Sequence, residues 1–174
     1  MKNLATETKY ALLSALALVV WVMVEHVLGF NTEHMDVGQY TQPIIPFIIW
    51  ILLFIAVREK KNQLGGQLTF MQGVRSAFFV SIFYAVLQGI WFGIYSNVIH
   101  PEYANLTLQF HETQLAQEGK TPQEIQDEMA MSKMIFDGGV NQFGFFIITT
   151  TVINTAIGAI MSLFLKTRKL KPVV

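Results

Sequence analysis

Residues 76–99 read Ser-Ala-Phe-Phe-Val-Ser-Ile-Phe-Tyr-Ala-Val-Leu-Gln-Gly-Ile-Trp-Phe-Gly-Ile-Tyr-Ser-Asn-Val-Ile, with no Asp, Glu, Lys or Arg anywhere in the run. A helix of this length crosses the roughly 30 Å of hydrocarbon in a bilayer. A soluble helix would show a polar face at 3.6-residue spacing, whereas this one is apolar nearly all round. Outward from it, residues 37–57 and 138–165 are equally free of charge, and residues 11–24 continue into 27–30 if Glu25 and His26 are tolerated near one end. The expectation is an all-α polytopic membrane protein. Four transmembrane helices, over about 10–30, 40–57, 74–99 and 140–165, form an antiparallel bundle in a single membrane domain, 1–174, with a partly helical outer loop over 100–139.

Composition agrees. Of 174 residues 52% are hydrophobic and 14% charged, against roughly 25% charged in a soluble domain. Twelve Lys plus Arg balance twelve Asp plus Glu, so no basic excess exists to grip phosphates, and nucleic acid is not an expected partner. The absence of Cys excludes disulfide frameworks, thiolate metal sites and cysteine nucleophiles. Lys2 and Lys9 before an apolar run suggest a signal peptide, but the small residues Ser14, Ala15 and Ala17 lie inside that run and no small-residue pair marks its outer end. The first segment therefore reads as a true span.

The cations separate by side. Lys2 and Lys9, then Arg58, Lys60, Lys61 and Arg75, then Lys166, Arg168, Lys169 and Lys171 make ten on one side, against Lys120 and Lys133 on the other. Basic segments stay cytoplasmic, which puts both termini inside, as an even number of spans requires. The connection over 58–66 reads as a charged tight turn ended by Gly65 and Gly66. Thr69 and Gln72 form a capping box that starts the third helix before the membrane, and Arg75 falls at the lipid surface, facing a phosphate or snorkelling. In the outer loop, Thr121-Pro122-Gln123-Glu124 combines an N-cap, a proline at the first helical position and a capping glutamate. A helix is expected from there to Asp137-Gly138-Gly139, with another over Tyr103–Gln117. Pro43 and Pro46 open the second span, which is short unless it begins earlier with a bend at Pro46.

Lipid supplies no hydrophobic force between helices, so small residues and polar contacts hold a bundle together. Gly73, Ala77, Ser81, Ala85, Gly89 and Gly93 form a row at every fourth position of the third span. Each step drifts about 40°, so the row predicts two partners in succession and a central place for this helix. The alternative is a single glycine-type dimer motif. Gln88 and Asn154 lie deep within their spans at matching depth, about 21 and 16 Å from the basic side, and are expected to bond to one another.

Glu25 is the one acidic residue interrupting an apolar span, which by default raises a functional hypothesis. It reads as an outer-mouth ion pair or hydrogen bond, or as a coupling or ligand-binding carboxylate. His26, His34, His100 and His111 all fall on the outer side with several acids, yet no pair has the one-turn spacing of a zinc helix, so no metal or other cofactor is expected. Phosphate loops, serine elbows and zinc sets are absent too, and the chain does not read as an enzyme.

Lys9-Tyr10-Ala11-Leu12, the 21–30 stretch with Glu25 and Gly29, the basic 58–61 turn and Leu68-Thr69-Phe70-Met71-Gln72-Gly73 together resemble domain-of-unknown-function family 4199. The resemblance covers nearly the whole chain. It implies a four-span inner-membrane protein, mainly of Bacteroidota, and carries over no activity and no site residues. The leading expectation is a structural, accessory or partner-binding role in the bacterial inner membrane, with the lipid bilayer and a membrane protein or second copy as partners. Its rival is a small transporter using Glu25 as the coupling carboxylate, with Gln88, Asn154 and the outer histidines along the path.

Overall fold

The computed structural model describes residues 2–136 and 140–167, with side chains from Thr6 onward. Helices run over Lys2–Val27 (α1), Met35–Thr41 (α2), Ile44–Gln63 (α3), Phe70–Ile94 (α4), Tyr103–Gln117 (α5), Pro122–Ile135 (α6) and Val140–Leu165 (α7), and one π-helical turn, Tyr95–Ile99, extends α4. All regular structure among the described residues is helical. Among the described residues four stretches are long and apolar enough to cross a membrane: Thr6–Val27, Met35–Gln63, Phe70–Ile99 and Val140–Leu165.

The boundaries follow local chemistry. The fourth span matches its expected limits. The first ends at Val27 rather than residue 30, because Gly29 at φ +76° turns the chain while the Phe30 amide donates to the Glu25 carbonyl at 2.8 Å. The second begins earlier than residue 40, as a separate short helix. The break falls at Gln42 and Pro43, not as a bend at Pro46, since Pro46 occupies the first turn of α3, where no backbone donor is needed. α3 also runs on through Arg58, Lys60 and Lys61 to Gln63, where the basic side chains complement the carbonyl end of the helix. The turn expected over 58–66 is therefore confined to 64–67, with Gly65 and Gly66 at φ +64° and +80°. Both expected capping boxes are present, at Thr69 with Gln72 and at Thr121 with Glu124. The stop read at 137–139 lies outside the described residues.

α4 packs against α1, α3 and α7, an inner position that it shares with α3; α1 and α7, each packed on both α3 and α4, stand at opposite corners. One partner, however, follows most of the small-residue row. A Cβ added at Gly73 would lie 2.4 Å from Ser162 Oγ, one at Gly158 would lie 2.2 Å from the Ala77 Cβ, and one at Gly89 would strike the Phe143 ring at 2.6 Å. All three contacts belong to α7, so the expected division between two neighbours does not hold. Small residues of α7 meet the row at one end, and a long aromatic side chain reaches across the accumulated drift at the other. Ser81 and Ala85 are buried within the row, and Gly93 faces open space.

The side chains are distributed inside out. α7 buries Gln142, Thr151, Asn154, Gly158 and Ser162, while Phe145, Ile148, Val152, Ile160 and Phe164 point outward, the last 83% exposed. α1 likewise turns Leu12, Leu16, Val20 and Val24 outward and buries Ser14. A water-soluble bundle places these groups the other way round; this arrangement suits a surrounding lipid phase. Outside the bundle α5 and α6 pair as a hairpin, and Gln114 of α5 donates to the Gln39 side chain of α2 at 2.5 Å. The start of α1, the end of α7 and the 64–67 turn mark the basic end of the bundle, and α5–α6 mark the hairpin end.

Candidate functional site

α1 buries Glu7, Ala11, Ser14, Leu18, Val22 and Glu25, positions that recur every third or fourth residue on one helical face. Its two carboxylates are thus five turns apart, about 27 Å, and each is only 3% exposed. A buried charge requires partners, and each carboxylate is the centre of a polar cluster at its own end of the bundle.

At the hairpin end Glu25 Oε1 accepts a hydrogen bond from Thr41 Oγ1 at 2.6 Å, which ties α1 to the last turn of α2. His26 Nδ1 lies 3.1 Å from the Tyr95 hydroxyl, with the rings edge to face. His100 packs edge-on against both rings, its centroid 5.3 Å from that of His26 and 6.0 Å from that of Tyr95, and its Nε2 lies 3.3 Å from the Asn31 carbonyl. Asn31, itself buried, donates to the Val22 carbonyl. The π turn assembles this group: the His100 amide bonds to the Tyr95 carbonyl five residues back, at 2.7 Å. Tyr103 packs 5.2 Å from Tyr95, and burial first, then the negative charge of Glu25, raises its phenol above the ordinary value. A carboxylate, two imidazoles and two phenols so placed can hold or relay a proton or bind a polar group. Among the described residues no three His, Asp or Glu side chains come close enough to hold a metal. His111 sits apart, in a cavity between α2, α5 and α6 with Gln39, Gln114 and Phe136, and His34 is exposed at the start of α2.

Gln88 and Asn154 do not bond to one another. Thr150 Oγ1 donates to Gln88 Oε1 at 2.8 Å, and Trp50 Nε1 donates to Asn154 Oδ1 at 3.0 Å. Matching depth left the direction around each helix open: Asn154 faces α3, and the residue one turn earlier on α7 takes Gln88. Each carbonyl oxygen thus accepts a hydrogen bond inside the bundle, as an apolar surround demands.

At the basic end Glu7 Oε1 accepts from Ser76 Oγ at 2.8 Å and pairs with Lys60 Nζ at 3.0 Å, while Oε2 is buried without a partner. Beside it Glu59 Oε2 accepts from the Tyr10 hydroxyl at 2.6 Å and from Lys9 Nζ at 3.0 Å, and Gln63 donates to Thr6 at 2.6 Å. Thr167 closes the same end. It accepts from the Leu68 amide at 3.0 Å and donates its hydroxyl to the Gly66 carbonyl at 2.9 Å and its amide to the Leu68 carbonyl at 2.8 Å. Glu7, Lys60, Leu64, Arg75 and Phe79 are among the residues around a cavity of about 270 Å³ between α1, α3 and α4. Glu7 was passed over because the first span was opened at residue 10; its 18-residue distance from Glu25, five whole turns on one face, was the available signal.

The family described as "Protein of unknown function (DUF4199)" matches residues 9–167. No curated protein and no solved structure matches the chain.

Proposed function

The chain belongs to the DUF4199 family, and on that premise we propose that this multi-pass membrane protein has a non-catalytic, accessory role, binding a membrane partner in a bacterial inner membrane. The observation that carries this reading is the α5–α6 hairpin outside the bundle. On α6, Met131 and Met134 are 65% and 58% exposed on a helix that otherwise shows Glu124, Asp127 and Glu128 to solvent. Flexible, polarisable methionines on an exposed helix suit protein recognition. The ten-to-two division of Lys and Arg supports cytoplasmic termini and a hairpin on the opposite side. The experiment is photo-crosslinking from Met131 and Met134 positions in native membranes, read by mass spectrometry. A discrete adduct with another membrane protein, or with a second copy of this chain, supports the role; adducts with lipid alone overturn it.

Transport coupled to Glu25 is the second reading, favoured by the burial of that carboxylate against Thr41 beside His26 and His100. Gln88 and Asn154 bond on the α7 side of the bundle, across from α1, so this reading now rests on Glu25 and the two histidines. In proteoliposomes, a proton flux unchanged by Glu25→Gln counts decisively against it.

A further inference from the structure

We propose that the cavity at the basic end is a binding site for the headgroup of an anionic, hydroxyl-bearing phospholipid of the phosphatidylglycerol type. Three observations converge. First, Glu7 is buried with one oxygen committed to Ser76 and Lys60 and the other, Oε2, without a partner. A buried acceptor without a donor costs free energy, and a ligand hydroxyl is a donor of the right kind. Second, Lys60 and Arg75 outnumber the one carboxylate around the cavity, so a ligand with a single negative charge balances it. Lys60 is drawn to Glu7, whereas the Arg75 guanidinium lies over the Phe79 ring, 5.7 Å from its centroid. Its planar fork matches two oxygens of a phosphodiester. Third, the cavity lies at helix ends, the level at which a headgroup is expected. It is lined by the last turns of α3 and the first turns of α4, the helix ends of two spans, and Leu64 and Phe79 give it an apolar wall. Phosphate on Arg75, glycerol hydroxyl on Glu7 and the first acyl carbons along Leu64 and Phe79 then match the described groups around the cavity.

The same chemistry could be met by a soluble phosphate ester, so the test separates the two. Delipidated protein in gentle detergent is titrated with phosphatidylglycerol, with phosphatidylmethanol (the same charge, no hydroxyl) and with phosphatidylcholine (neutral, no donor), and the bound fraction is read by native mass spectrometry. Phosphatidylglycerol is expected to bind about tenfold more tightly than phosphatidylcholine, which has the same phosphodiester but cancels its charge with an ammonium and offers no hydroxyl, with phosphatidylmethanol between them. Arg75→Gln, at an exposed position whose loss leaves the bundle contacts intact, is expected to abolish most of that preference at an unchanged melting temperature. Equal retention of all three lipids, or an unchanged preference in Arg75→Gln, overturns the site. Equal retention of phosphatidylglycerol and phosphatidylmethanol overturns the part assigned to Glu7. Displacement of bound lipid by micromolar glycerol 3-phosphate overturns the lipid as the ligand and makes the soluble ester the occupant.

Discussion

Trp50 donates its indole N–H to Asn154 Oδ1 at 3.0 Å, joining α3 to α7 within the apolar interior of the bundle. Such bonds between membrane helices typically contribute about 0.6 kcal/mol and at most about 1.7 kcal/mol. A double-mutant cycle of Trp50→Phe with Asn154→Leu, followed by reversible unfolding in detergent, is therefore expected to show coupling in that range. The cycle of Gln88→Leu with Asn154→Leu is expected to be additive, because those two side chains bond to different partners.

Gly158 admits no side chain where it meets Ala77. Gly158→Ala puts a methyl group 2.2 Å from the Ala77 Cβ, which forces α4 and α7 apart at an expected cost of about 1–3 kcal/mol. Ala77→Gly in the same chain removes the clashing atom and is expected to recover most of the loss. Thermal unfolding of the two single variants and the pair measures both effects.

The start of α6 is acid-sensitive. Hydrogen bonds from the backbone and hydroxyl of Thr121 hold the Glu124 carboxyl below its ordinary value of 4.5, with a smaller contribution from Lys120. A depressed carboxyl contributes stability that is present above the unfolded value and lost as pH falls through the folded one. Carboxyl NMR is expected to place the Glu124 midpoint below 4.5, and Thr121→Val is expected to move it upward. Below that midpoint the amides of Thr121 and Glu124 are expected to lose protection while the bundle keeps its own.

The chain contains no Cys, so single-cysteine variants report sidedness directly. Asn62 at the basic end and Glu118 at the hairpin end are both exposed. A membrane-impermeant maleimide applied to intact spheroplasts is expected to label Glu118→Cys and to leave Asn62→Cys unlabelled until the membrane is opened. The reverse pattern overturns the cytoplasmic assignment of the termini.

The spans were legible because lipid imposes length and uniform apolarity on each stretch separately, a demand that any one segment reveals. The capping boxes at Thr69 and Thr121 were legible for the same reason, since each is satisfied within four residues. What joins the helices was less so. The row from Gly73 to Gly89 marked a packing face, but its partner depended on Phe143 reaching across from α7, which spacing within α4 does not encode. Gln88 and Asn154 were recognised as needing partners, while Trp50 and Thr150 gave no sign of being those partners. Glu7 lay hidden next to the basic residues of the first segment, where a charge looks solvated, and only the whole-turn distance to Glu25 points to its burial.

The π turn at Tyr95–Ile99 closes its ring over one residue more than the α-helix it extends. A π turn takes up its extra residue within about the rotation that an α-helical turn covers, so deleting one residue there restores α-helical winding and leaves His100 and Tyr103 directed toward Tyr95 and His26. Adding a residue there instead turns everything downstream by about 100° and carries His100 and Tyr103 away from Tyr95 and His26. The hairpin-end cluster therefore tolerates one residue fewer in this segment, for example at Val98, which is 73% exposed, and is dismantled by one residue more.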